Sequence, residues 1–246
     1  MNTKYKIIVP FYNDLKNFLH FVEIINSMNL KEELFLIVDN GSDSNDIELF
    51  YKKKINSNKG WSTVRTEKNL GFGGGIIFGA THISTDYIAW MPGNLKVDPK
   101  DMHDMLKGLT LKGNLLVKCR RRNRPPLDRF KTLVFGFIIS ILFRMKLEDV
   151  GGTPNLVNND FFRSSQNLPN DFTFDTFIYY YHKKMKLPIH RPRISYKTRL
   201  YGNSHWQKGF KSEAKLALKI LMAKNMERRR RLAWKHARLR SPSPSP

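Results

Sequence analysis

Leu34-Phe35-Leu36-Ile37-Val38-Asp39-Asn40-Gly41-Ser42-Asp43 is the stretch on which the fold turns. An unbroken apolar run over residues 34–38 needs cover on both faces, as a strand inside a parallel sheet does. Asp-Asn-Gly then stops it, because these residues favour tight turns over extended backbone. An aspartate leaving such a strand presents a fixed carboxylate to whatever lies beyond the strand end. Alone, the pattern reads as a turn with a helix cap; its wider meaning rests on the segments around it.

Upstream, residues 7–9 (Ile-Ile-Val) read as a first strand ending in Pro10-Phe11-Tyr12-Asn13-Asp14, and Leu15, Phe18, Leu19, Val22 and Ile25 then recur at helical spacing. Downstream, residues 61–66 predict a third strand, 74–83 a helix, 87–91 a fourth strand, 99–109 a helix opening on proline and 115–117 a strand. This alternation is the sign of βαβ units around a mostly parallel sheet, hence an α/β fold. Residues 127–145 and 171–186 predict further helices on either side of a segment at 151–159, and 211–226 an amphipathic helix.

The 246 residues carry 43 Lys and Arg against 21 Asp and Glu, a formal net charge of +22. That excess calls for a polyanionic neighbour: nucleic acid, an acidic membrane or phosphorylated substrates. It gathers in Arg120, Arg121, Arg122 and Arg124 and in a tail carrying Arg228 to Arg231, Lys235, Arg238 and Arg240. These runs lack interleaved aromatics except Trp234, and no nucleic-acid motif accompanies them, so no nucleic-acid partner is expected. The single cysteine, Cys119, rules out an intramolecular disulfide, and no Cys/His cluster has zinc-ligand spacing. Residues 1–13 do not read as a signal peptide, since Lys4 and Lys6 run into a short apolar segment that Pro10 ends. The longest apolar run, residues 132–143, is too short to span a bilayer; it suits a core helix or an interfacial one, with Lys131 and Arg144 as basic flanks.

Ligands of open α/β sheets bind beyond the carboxyl ends of the strands. There the chain places residues 10–14, residues 39–43, and Pro92-Gly93-Asn94-Leu95-Lys96-Val97-Asp98-Pro99. Residues 69–75 (Asn-Leu-Gly-Phe-Gly-Gly-Gly) open a helix with glycines that permit close backbone approach and turn amides toward an anion. Taken in order, Val9-Pro10-Phe11-Tyr12-Asn13, Val38-Asp39-Asn40-Gly41-Ser42, residues 69–75 and Asp98-Pro99 resemble the family 2 glycosyltransferases. Asp149-Val150-Gly151-Gly152-Thr153-Pro154 and Arg199-Leu200-Tyr201-Gly202-Asn203-Ser204-His205-Trp206 look like the polyprenyl-phosphate branch, which includes dolichyl-phosphate mannose synthases.

The resemblance implies a GT-A (Rossmann-like) fold, a mostly parallel central sheet flanked by helices, over residues 1–210. Residues 211–240 would add a basic amphipathic helical extension and 241–246 a disordered Ser/Pro tail. It implies a nucleotide-sugar donor, with Asp39 at the base or ribose, Pro10 and Tyr12 shaping the pocket, and Gly71, Gly73, Asn94 and Lys96 beside the diphosphate. The implied acceptor is a polyprenyl-phosphate lipid, its phosphate held by Arg129 and Arg199 with Ser204 as a hydrogen-bond donor. Asp149 would stand near the sugar, as the base if the acceptor were a hydroxyl. The catalytic candidates are therefore Lys96, Asp149 and Arg129.

The family's Asp-x-Asp-x-Gln segment usually holds a divalent metal on the donor diphosphate. Here its two acids fall on Pro92 and Asn94 and its glutamine on Lys96. Magnesium and manganese want anionic oxygens, so no ordinary metal site is expected; Lys96 would supply the positive charge as a point cation. The expected reaction is one inverting displacement at the cytoplasmic face of a membrane, with the protein held peripherally on an anionic surface. Transfer to a glycan hydroxyl in surface-polysaccharide synthesis, and a catalytically dead nucleotide-sugar-binding relative, are the alternatives.

Overall fold

The structure is a computed structural model that describes residues 4–43, 60–165, 168–198 and 201. β1 (Tyr5–Phe11) and β2 (Phe35–Asp39) lie parallel, with Ile7 opposite Phe35 and Phe11 opposite Asp39. β3 (Trp61–Arg65) extends the sheet beyond β2, and β4 (Tyr87–Trp90) pairs with the other edge of β1, both in parallel. β7 (Asn155–Asn158) then runs antiparallel between β4 and β5 (Leu116–Lys118), and β8 (Ile189–His190) closes that edge parallel to β5. The order is β3-β2-β1-β4-β7-β5-β8. β6 (Arg120–Arg122) and β9 (Arg193–Ser195) form a separate parallel pair.

Strand alternation divides the core into two layers. Ile7, Val9, Phe35, Ile37 and Ala89 face one cluster with Phe18, Phe21, Val22 and Ile25 of α1 (Leu15–Ser27) and Met102 and Leu106 of α3 (Pro99–Lys107). Ile8, Leu36, Val38, Ile88 and Trp90 face the other, with Ile76 of α2 (Gly71–Ala80), Ile139 and Phe143 of α4 (Pro126–Phe143) and Phe174, Phe177 and Ile178 of α6 (Phe174–Lys184). The short α5 (Asn159–Ser164) follows β7 directly, capped by the Asn158 side chain. The α/β fold with a mostly parallel sheet flanked by helices is thus the one the sequence implies.

Local boundaries differ where a single residue decides them. α2 begins three residues ahead of the expected start, at Gly71, whose positive φ of 77° turns the chain into the helix. α4 ends at Phe143 because Arg144 is left-handed (φ 50°, ψ 42°), with its amide on Ile141. The expected helix at 211–226, the extension at 211–240 and the tail at 241–246 lie outside the described residues.

Candidate functional site

The carboxyl ends of β1, β2 and β4 share one edge of the sheet, and the chain entering antiparallel β7 arrives at the same edge, with Asn155 opposite Trp90. Four loops therefore meet there. The first two are tied together: the Asn13 amide donates to Ser42 Oγ at 3.0 Å, its Nδ2 to Asp43 Oδ2 at 3.0 Å, and its Oδ1 accepts the Asp43 amide at 2.9 Å. Asp39 is buried; its Oδ1 accepts the Ser42 amide at 3.0 Å and its Oδ2 faces Arg65 Nη1 at 3.4 Å. It thus holds the turn and orients Arg65, which also donates to the Ser42 carbonyl. Tyr12 stands out from this edge, 46% exposed, whereas Pro10 lies under Gly75 of α2.

The glycines at the head of α2 make their close approach to protein. A Cβ on Gly71 would come within 2.5 Å of the Asn170 carbonyl oxygen, and one on Gly73 within 2.3 Å of that of Pro169. The Gly74 amide donates to Asn170 O at 2.9 Å, and Phe72 stacks on Phe172 at 4.7 Å. Asn40 ties the same loop to β2, accepting from the Leu70 amide and donating to the Gly71 carbonyl.

After β4, Asn94 Oδ1 accepts the Lys96 amide at 3.2 Å across Leu95, which has a positive φ of 55°. The Lys96 carbonyl accepts from the Lys197 amide at 2.7 Å, and Lys197 Nζ reaches Asp98 Oδ2 at 2.9 Å. The β6–β9 pair and its continuation therefore hold this loop. Tyr196 is the common surface: Lys96 Nζ lies 5.9 Å and Arg121 Cζ 5.6 Å from its ring centroid, within cation–π range.

Arg121 belongs to the basic run that reads in sequence as a charged surface. The structure corrects that reading for this residue, because β6 alternates: Arg120 and Arg122 are exposed while Arg121 points inward. Its Nε donates to Asp149 Oδ1 at 2.8 Å, its Nη2 to the same oxygen, and its amide to Oδ2 at 3.1 Å. Burial alone would raise the Asp149 carboxyl, but the charge and hydrogen bonds of Arg121 outweigh it and hold the carboxyl below its usual value. Burial likewise works against the Arg121 charge, and Asp149 more than compensates, so its pKa is raised.

Asp149 has a positive φ of 43°, and its carbonyl accepts the Gly152 amide at 2.8 Å. Gly152 is required by contact, since a Cβ there would sit 2.2 Å from the Cys119 carbonyl oxygen. Beneath this turn, Lys118 is fully buried and donates to Gly152 O at 3.0 Å and Asn155 Oδ1 at 3.4 Å. Desolvation pulls its pKa down to about 8, opposed chiefly by Asp175, which itself accepts from Trp90 Nε1 at 2.7 Å and Asn155 at 3.2 Å.

The structure thus gathers Lys96, Tyr196, Arg121 and Asp149 into one row. Arg129 is exposed in the first part of α4, while Arg199 and Ser204 lie outside the described residues. Sequence reading missed Tyr196 and Lys118, which carry no motif; a lysine adjoining Cys119 just after a strand of apolar residues was the one available signal for the latter.

The family model for Glycosyl transferase family 2 matches residues 6–167. The chain belongs to this family. Among solved structures, glucosyl-3-phosphoglycerate synthase from Mycobacterium tuberculosis with Mn2+, UDP-glucose and phosphoglyceric acid is similar at a TM-score of 0.68 and 14% identity. The match covers 90% of this chain and 80% of that one. The same enzyme with Mg2+ and UDP matches at a TM-score of 0.66 and 13% identity, covering 90% and 78%. At such identity the likeness shows the fold.

The loop after β4 bears on metal binding in this family 2 chain. Among the described residues no group of three or more His, Cys, Asp or Glu is placed to hold a metal ion. Asn94 Oδ1 already accepts an amide, Lys96 brings a cation, and Asp98 caps α3 through the Lys100 amide while pairing with Lys197. These residues do not fit a magnesium or manganese site.

Proposed function

We propose that this glycosyltransferase moves a sugar from a nucleotide-sugar to the ionised phosphate oxygen of a polyprenyl-phosphate acceptor. The observation that carries the reading is the closure of Asp149 by Arg121. A carboxylate held below its usual pKa by three donors is a weak base, so the acceptor best suited to the site is an oxygen already ionised at neutral pH. A glycan hydroxyl needs the stronger base that Asp149, so held, does not offer.

In the reaction, a bond forms between the acceptor phosphate oxygen and the anomeric carbon. The bond from that carbon to the donor diphosphate breaks with inversion, and the nucleoside diphosphate leaves with its electron pair. Lys96, steadied over Tyr196, acts as the cation that meets the charge growing on the leaving diphosphate. Tyr12 and the turn fixed by Asp39 take the base and ribose, and Arg129, Arg199 and Ser204 the acceptor phosphate. Asp149 and Arg121 keep the sugar-side loop rigid. The lipid acceptor places the protein peripherally at the cytoplasmic face of a membrane, drawn there by its net charge of +22.

The phosphoglyceric acid in the solved relatives favours one second reading, a small phosphorylated acid as acceptor. A nucleotide-sugar panel is run against polyprenyl phosphate and against phosphoglycerate, each with and without chelator. Labelled sugar in the lipid phase, undiminished by chelator, supports the proposal. Product only with phosphoglycerate, or only with added metal, overturns it.

A further inference from the structure

One face of α4 is left uncovered among the described residues. Leu127, Phe130, Leu133, Phe137 and Ile141 are 60–72% exposed, and Ile138 is 39% exposed. Their spacing puts them on one side of the helix, opposite Gly136, Ile139 and Phe143, which are buried. Large contiguous apolar patches are rare on soluble surfaces unless something binds there. No helix among the described residues is long and apolar enough to cross a membrane, so this ridge does not belong to a spanning segment.

Arg129 and Arg144 are exposed on and just after α4. In sequence, the exposed Arg120 and Arg122 of β6 precede the helix, with Arg120 paired to Glu148. An apolar face flanked by arginines matches an anionic lipid surface, where acyl chains take the side chains and headgroups take the charges. Gly136 sets α4 against the chain that carries Asp149: a Cβ there would lie 3.3 Å from Leu147 O and 3.9 Å from the Asp149 amide nitrogen.

We propose that the exposed ridge of α4 inserts into the interfacial layer of an anionic membrane and turns the Asp149 side of the site toward the lipid. The inference rests on the lipid-acceptor reading for its purpose, but binding is measured without turnover, so the two fail separately. A water-soluble short-chain polyprenyl phosphate tests the acceptor alone.

Phe137→Cys provides the probe. Cys119, the one native cysteine, is buried, with its thiol pushed up to about 12, so an environment-sensitive thiol dye labels position 137 alone. Adding phosphatidylcholine vesicles containing phosphatidylglycerol should shift the emission to the blue; pure phosphatidylcholine should do so at least tenfold more weakly. In flotation, Leu133→Ser combined with Ile141→Ser should lose at least ten-fold in vesicle partitioning while keeping the wild-type melting temperature. Three results overturn the proposal. The first is an unshifted dye with vesicle-bound protein. The second is a dye already shifted without vesicles in a concentration-dependent way, which makes the ridge an interface between copies. The third is a concentration-independent shift without vesicles, which makes it a seat for another part of this chain.

Discussion

Arg121 closes over Asp149 from three sides, using two guanidinium nitrogens and its own backbone amide. Neither side chain is well exposed, at 12% and 17%. Removing one partner strands the other charge in a poorly solvated place, which costs about 2–4 kcal/mol. Arg121→Ala should therefore lower the melting temperature clearly, and Arg121→Lys should recover only part, since an ammonium cannot reproduce the fork. Because the folded Asp149 carboxyl lies below its unfolded value, the pair stabilises above the unfolded pKa and that gain is lost as pH falls through the folded one. The gap between wild type and Arg121→Ala should shrink below about pH 4, as read by chemical denaturation.

Lys96 and metal dependence are tested together. Lys96→Ala should reduce kcat by about 10²–10³-fold, the scale for losing one preorganised charge at a leaving group. Chelator should leave wild-type turnover unchanged. Full activity in the variant, or collapse of the wild type with chelator, rules out the lysine mechanism.

Tyr196 acts through its neighbours. Its ring lies under both Lys96 and Arg121, at 5.9 Å and 5.6 Å. Tyr196→Phe should keep turnover near wild type, while Tyr196→Leu should lower kcat by about tenfold, from two cation–π contacts of about 0.5–1 kcal/mol each. A rise in donor KM with kcat untouched would contradict this positioning role.

The fold was legible where one strand does one thing. The apolar run before Asp39 and the helical spacing from Leu15 to Ile25 each correspond to an observed element, because burial on one layer fixes both pattern and place. β6 and β9 were not legible. Each is three residues long, and Arg120 to Arg122 has no apolar alternation to betray a strand. Only the partner Asp149, distant in sequence, reveals that the middle arginine turns inward. The candidate site was legible in its loops and not in its supports: Lys96 follows a strand end, whereas Tyr196 and Lys118 join it solely through contacts made across the fold.

Glycine substitutions separate contact from conformation. Gly73→Ala drives a methyl to 2.3 Å from a backbone oxygen, and should cost about 2 kcal/mol or more, read as a drop in melting temperature. Gly113 has a positive φ of 56° and nothing within 4 Å of a built Cβ. Gly113→Ala should cost only about 1 kcal/mol, the strain of a left-handed alanine.

His182 supplies a pH signature. It is fully buried on α6, its Nδ1 is 3.2 Å from the Ile178 carbonyl, and desolvation pulls its pKa down to about 4. The unfolded chain binds that proton more readily, so stability should fall as pH drops from about 6.5 toward 4. His182→Gln should flatten this slope in denaturant titrations; an unchanged slope would assign it to other groups.

The seam between the head of α2 and the segment before α6 has a consequence for how the molecule opens. The Gly74 amide is bonded to Asn170 O, four residues ahead of α6, and α6 in turn carries Asp175 under Trp90. Helix α2 therefore cannot lift without breaking from the segment that leads into α6. In hydrogen exchange the Gly74 amide and the α6 amides should share one opening free energy, making α2 and α6 a single cooperative unit.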